Sequence, residues 1–221
     1  MFELFSKGGI IMYPLLLSSI VALAVIIERL WFLRRKKILV PEIINVLDKI
    51  NSTAELNIVS SICEKMPGPF ARIIRLCLDN QDLPPDELRA LVEDEGRQEV
   101  RILERGLVTL ETVAAVAPLM GLLGTVIGMI KVFNIIQTLG VGQAKALSGG
   151  ISEALITTAT GLVVGILALI AYNYFRHRSE AFILDIEKYV ILLLNKLIRF
   201  KRENENVEFD SLNLKTKQDL R

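Results

Sequence analysis

Three uncharged apolar stretches decide what this chain can fold into. The first lies between Lys7 and Glu28, the second between Glu111 and Lys131, the third between Glu153 and Arg176. Each suits an α-helix across a hydrocarbon core, which needs about 20 apolar residues. The composition is 52% hydrophobic, with mean hydropathy +0.44. Apolar content gathered into a few long runs is the mark of a membrane protein rather than of a soluble core. Spans are expected over residues 10–33, 111–139 and 149–175.

A cleaved secretory leader is the competing reading of the first stretch. Its basic leader is weak, and no small-residue cleavage site follows. Instead Arg29 to Lys37 forms a stop-transfer cluster around Trp31, so a retained anchor is expected. Orientation follows from lysine and arginine. The basic span ends are Arg29–Lys37, Arg101/Arg105 and Arg176/Arg178, while the opposite ends carry only Lys7 and Lys145. The positive-inside rule then places residues 1–9 and 140–148 outside (the periplasmic side, if the membrane is a bacterial inner membrane), and 34–110 and 176–221 in the cytoplasm.

Residues 41–80 show short helical patterns. Ile43, Ile44, Leu47 and Ile50 mark one helix, Ile58, Ser61, Ile62 and Lys65 a second, and Phe70, Ile73, Ile74, Cys77 and Leu78 a third. Pro67 and Pro69 break between the last two. Pro84-Pro85-Asp86-Glu87 reads as a helix start. From about Asp86 one long helix is expected to run through the second span. After the third span, Phe182, Ile183, Ile186, Val190, Leu193, Leu194 and Leu197 form an apolar stripe. It predicts an amphipathic helix packed on neighbouring subunits or on the long second helix. The polar tail from about Lys201 is expected to be frayed or disordered.

Several function classes drop out early. The formal net charge of +1 offers nucleic acid no bulk attraction. Cys63 and Cys77 lack metal-ligand spacing and read as reduced thiols. His177 is the only histidine, which argues against His-based metal sites and Ser/His/Asp catalysis. No cofactor, metal or enzymatic role is expected.

The second and third spans carry small-residue faces. Gly121, Gly124, Thr125 and Gly128 recur at helical spacing on one, and Ala154, Thr158, Gly161 and Gly165 on the other. Such faces let a second backbone approach closely, and self-association is the economical way to cover them. The glycine run resembles a phosphate loop only superficially, because it lacks the Gly-Lys-Ser/Thr ending.

The polar residues admit several readings. Glu153 heads the third span, with Thr157 and Thr160 on its face and Thr158 beside it. A first-turn acid interacting with the helix dipole accounts for Glu153. Back-bonding to the helix accounts for the threonines. Alternatively Glu153, Thr157, Thr158 and Thr160 line a polar interior shared with Thr125, since ionisable groups within spans usually face a cavity or a bundle interior. Lys131 lies at about the depth of Glu153. It either pairs with that carboxylate or snorkels to the interface.

Pro118–Phe133 (PLMGLLGTVIGMIKVF) and Gly150–Phe175 (GISEALITTATGLVVGILALIAYNYF) resemble the ExbB/TolQ group of the MotA/TolQ/ExbB proton-channel superfamily. The elements G-L-L-G-T-V-x-G and E-A-L-x-x-T-A-x-G occur in the family's order and spacing. The resemblance implies an all-α membrane protein with three transmembrane helices and long cytoplasmic helical extensions, assembling as a homopentameric ring in the bacterial inner membrane. It implies two copies of a single-span ExbD/TolR-like partner inside the pore, with the proton-carrying aspartate on that partner. It also implies indirect action on a TonB/TolA-like protein. By motif position it assigns Thr125, Glu153 and Thr158 to the proton path, with Thr157 and Thr160 as additions of this sequence. Leu167 stands where many relatives have proline. A non-conducting membrane scaffold is the alternative reading. A small-solute transporter is disfavoured because no inverted repeat appears.

Overall fold

The computed structural model describes residues 8–34, 38–50, 55–140 and 144–219, excepting the side chains of 139, 146 and 203–219. The described residues form α-helices and no strand: α1 Met12–Phe32, α2 Pro41–Lys49, α3 Leu56–Lys65, α4 Pro69–Asp79, α5 Pro85–Glu104, α6 Leu107–Leu139 and α7 Ala144–Asp219. Segments of α1, α6 and α7 are long and apolar enough to cross a membrane. The chain divides into two compact units.

The first unit comprises residues 1–32 and 104–177. Here α1 packs along α6. Large apolar side chains point outward from all three helices, among them Leu17, Ile20, Leu119, Leu122, Leu155 and Ile170. Outward apolar surface on this scale is stable against lipid tails rather than water. Trp31 at the end of α1 is also exposed. Arg29, read as the first member of an interfacial cluster, is instead buried. Its guanidinium lies 5.0 Å over the Phe32 ring and 3.3 Å from the Glu28 carboxylate.

No single helix runs from Asp86 through the second span. The chain stops being helical after Glu104 and resumes at Leu107. Gly106 between them has φ +80°. Only glycine adopts that left-handed backbone without a Cβ penalty, so it ends one helix and caps the next. The Leu110 N–H donates to the Gly106 carbonyl over 3.3 Å to start α6.

The second unit comprises residues 33–103 and 178–221. Pro41, Pro69 and Pro85 each open a helix, where the missing N–H costs nothing. The core includes Ile43, Leu47, Phe70, Ile74, Cys77 and Leu193. Burying a large aliphatic or aromatic side chain contributes about 1.5–3 kcal/mol. The helix expected from Ile58, Ser61, Ile62 and Lys65 is α3, and the face it buries is Leu56, Val59 and Cys63, with Ile58 52% exposed. Helical spacing alone does not say which face is buried; packing against α2 and α4 decides it.

The stripe on α7 is buried at Phe182, Ile186, Val190, Leu193, Leu194 and Leu197. It is covered by its own chain, and not only by a neighbouring subunit or a long second helix. Tyr189 packs on Phe70 with ring centroids 5.9 Å apart, and the Ser179 hydroxyl donates to the Leu103 carbonyl over 3.0 Å. The Lys196 ammonium donates to the carbonyls of Leu47 at 2.6 Å, Ile50 at 3.1 Å and Asp48 at 3.3 Å. A cation thus satisfies the otherwise orphaned carbonyls where α2 ends. The tail expected to fray is helical to Asp219. Residues 201–219 contain neither glycine nor proline, so nothing local stops the helix.

Candidate functional site

The site grows from the seam between α6 and α7 in the first unit. Glycines on both helices make the seam close. A Cβ on Gly161 would stand 2.5 Å from the Ala117 carbonyl and 2.9 Å from the Gly121 Cα. A Cβ on Gly128 would meet Ala154 and the Gly150 carbonyl, each at 2.9 Å, and one on Gly165 would meet the Pro118 ring at 2.6 Å. The Gly124 face is filled by the Thr157 side chain. The two small faces therefore cover each other within one chain. Reading each face alone left both seeking a partner chain, because a single face does not show what meets it.

The polar residues sit along this seam. Thr158 donates its hydroxyl proton to the Gly121 carbonyl over 3.0 Å, from one helix to the other. Thr125 donates to the Leu122 carbonyl at 2.6 Å and Thr160 to the Ile156 carbonyl at 2.8 Å, each within its own helix. Thr157 is fully buried. Its hydroxyl proton is shared between the Glu153 carbonyl at 2.6 Å and the Gly8 carbonyl at 3.0 Å. Lys131 Nζ lies 2.5 Å from Glu153 Oε1, across the seam from α6 to α7. The Glu153 side chain is 19% exposed and that of Lys131 47%.

The chemistry of this arrangement is specific. A threonine hydroxyl has one proton and two lone pairs. All four threonine protons are committed to backbone carbonyls. What remains to present is acceptor oxygen, which receives a hydrogen bond and offers none. Glu153 with Lys131 forms a compensated charge pair, so neither charge stands alone in an apolar setting. Among the described residues no cluster of three His, Cys, Asp or Glu could hold a metal ion.

Sequence reading missed several members of the site. Gly8 and Gly9 lie against Thr157 and Glu153, and Gly150 lies against Val132. The Gly8-Gly9 pair is turn chemistry and was legible as such, but nothing local said what the turn touches.

The model of the MotA/TolQ/ExbB proton channel family matches residues 65–188, which include α4 to α6 and the seam. The chain belongs to that family. A similar relative is an ExbB-like biopolymer transport protein of Synechocystis sp., 39% identical over 174 residues, 76% of this chain and 68% of the relative. A biopolymer transport protein ExbB homolog of Methanothermobacter thermautotrophicus is 32% identical over 188 residues, 84% of this chain and 66% of the relative. The Tol-Pal system protein TolQ of Pseudomonas aeruginosa is 44% identical over 81 residues, 37% of this chain and 35% of the relative. Family membership, with three membrane-length helices, makes this ExbB/TolQ-group chain a multi-pass inner-membrane protein of proton-channel, energy-transducing type.

Proposed function

We propose that this chain is the ring-forming subunit of an inner-membrane motor that couples inward proton flow to movement of a single-span partner. The observation that carries the reading is the commitment of the hydroxyl protons of Thr125, Thr158 and Thr160 to carbonyls, which leaves their oxygens as acceptors, while the fully buried Thr157 braces the seam behind them. A wall of acceptor oxygens stabilises a protonated carboxyl or a hydrated proton passing by. It holds no fixed anion that would trap the proton. The carrier itself is an acid on the partner, of ExbD/TolR type, and the work passes to a periplasm-spanning protein of TonB/TolA type. The driving force is about 2.3 kcal/mol per proton per 100 mV.

In this reading the Gly140 turn faces the periplasm, and the Lys131–Glu153 pair marks the outer mouth. Copies of the chain assemble as a ring, a pentamer, around two partner helices. The second unit also carries a groove of about 730 Å3. It is floored by Val92, Val100, Ile183 and Leu194 and rimmed by Arg89 and Arg97.

The experiment replaces Thr158 with valine and Glu153 with alanine in cells that depend on the motor. Both variants are expected to assemble as wild type and to lose proton-driven work. Retained work in both would favour a non-conducting scaffold. A neighbouring reading frame encoding one span with an early intramembrane aspartate is also expected.

A further inference from the structure

We infer that the Gly8–Gly9 turn is a positioning element for the Glu153–Thr157 cluster. This rests on the reading above only in treating that cluster as functional. The turn lies outside the family-matched residues 65–188. Gly9 has φ +68°, and the position a Cβ would take there is occupied by the Glu153 carboxylate. Gly9 thus supplies both a backbone angle and the empty volume in which the carboxylate sits while it reaches Lys131. Gly8 is buried, and its carbonyl accepts from the Thr157 hydroxyl over 3.0 Å, across 149 positions of sequence. The Met12 N–H donates to the Gly9 carbonyl over 3.2 Å, so the turn is tied to the first turn of α1.

A turn serving only to start α1 requires neither contact. Starting the helix uses the Gly9 carbonyl, while the Gly8 carbonyl and the space at Gly9 are spent on α7. Any side chain at position 9 displaces the Glu153 carboxylate from the lysine. Displacement of Glu153 also disturbs Thr157, one helical turn on.

The test uses the full chain in vesicles of phosphatidylethanolamine and phosphatidylglycerol. The infrared carboxylate band of Glu153 is identified by its loss in Glu153→Gln. Lys131→Met is expected to shift that band, and Gly9→Ala to shift it likewise. A band unmoved in folded Gly9→Ala overturns the proposal. If Gly9→Ala does not fold, the double variant Gly9→Ala/Glu153→Ala decides. Recovery of monodisperse protein in the double variant supports a clash with the carboxylate, and equal failure of both overturns it. A shifted band in Gly9→Ala with undiminished proton-driven work in Glu153→Gln leaves the positioning role standing and removes Glu153 from the proton path.

Discussion

Thr158 on α7 and Gly121 on α6 are joined by a hydroxyl-to-carbonyl hydrogen bond of 3.0 Å. The bond ties the helices where their glycines bring the backbones together, and it turns the threonine oxygen into a pure acceptor. Valine keeps the shape and removes the bond. Interhelical hydrogen bonds in membranes contribute about 0.6 kcal/mol on average. Thr158→Val should therefore assemble and unfold nearly as wild type, yet lose proton-driven work, whereas Thr158→Ser should retain most of it. Transport assays beside detergent unfolding curves separate the two effects.

Gly161 and Gly96 should respond oppositely to alanine. At Gly161 the new Cβ meets the backbone of Ala117 and Gly121, which cannot swing away like a side chain. The helices must part, at a cost of about 1–3 kcal/mol. At Gly96 nothing lies within 4 Å. Alanine there removes a helix-interior glycine and should stabilise by about 0.5–1 kcal/mol. Unfolding midpoints of the two variants check the contrast.

Lys131 and Glu153 form a pair within one chain. Lys131→Met and Glu153→Gln should be non-additive, with a coupling of about 0.5–1 kcal/mol discounted for the exposure of the lysine. Additive effects on the free energy of unfolding would remove the pair from the account.

Arg72 holds the buried Glu99 carboxylate with two hydrogen bonds, from Nε to Oε1 and from Nη2 to Oε2, the latter at 2.6 Å. The pairing raises the Arg72 pKa, chiefly through those bonds. Arg72→Ala leaves the carboxylate buried and should cost on the order of 2 kcal/mol. Arg72→Ala/Glu99→Leu, which removes both partners, should recover much of that loss. Chemical denaturation of the full chain measures it.

Burial pushes the Cys63 thiol up to about 11 and the Cys77 thiol up to about 12. A free thiol ionises near about 8.5. Between about pH 9 and about pH 11 the native state therefore binds more protons than the unfolded one, and stability falls as pH rises. The contribution is fully present below about pH 8.5. A Cys63→Ala/Cys77→Ala variant should show a flatter decline over that alkaline range. In the native protein at about pH 8 both thiols should resist alkylation until denaturant is added.

By itself, the sequence determined the helical class, the three spans and the candidate polar residues. Length, charge spacing and glycine periodicity are local properties, and the cost of unpaired backbone in lipid leaves helices as the way to use them. The proline start of α5 was legible for the same reason. Only the tertiary structure decided what each face meets. It paired the Gly121 and Gly161 faces within one chain, chose the Cys63 face of α3 over the Ile58 face, and broke the expected long helix at Gly106. It also seated Gly9 against Glu153, 144 positions away in sequence (153 − 9). Periodicity says which residues share a face. What covers that face depends on contacts between residues distant in sequence, which no local pattern encodes.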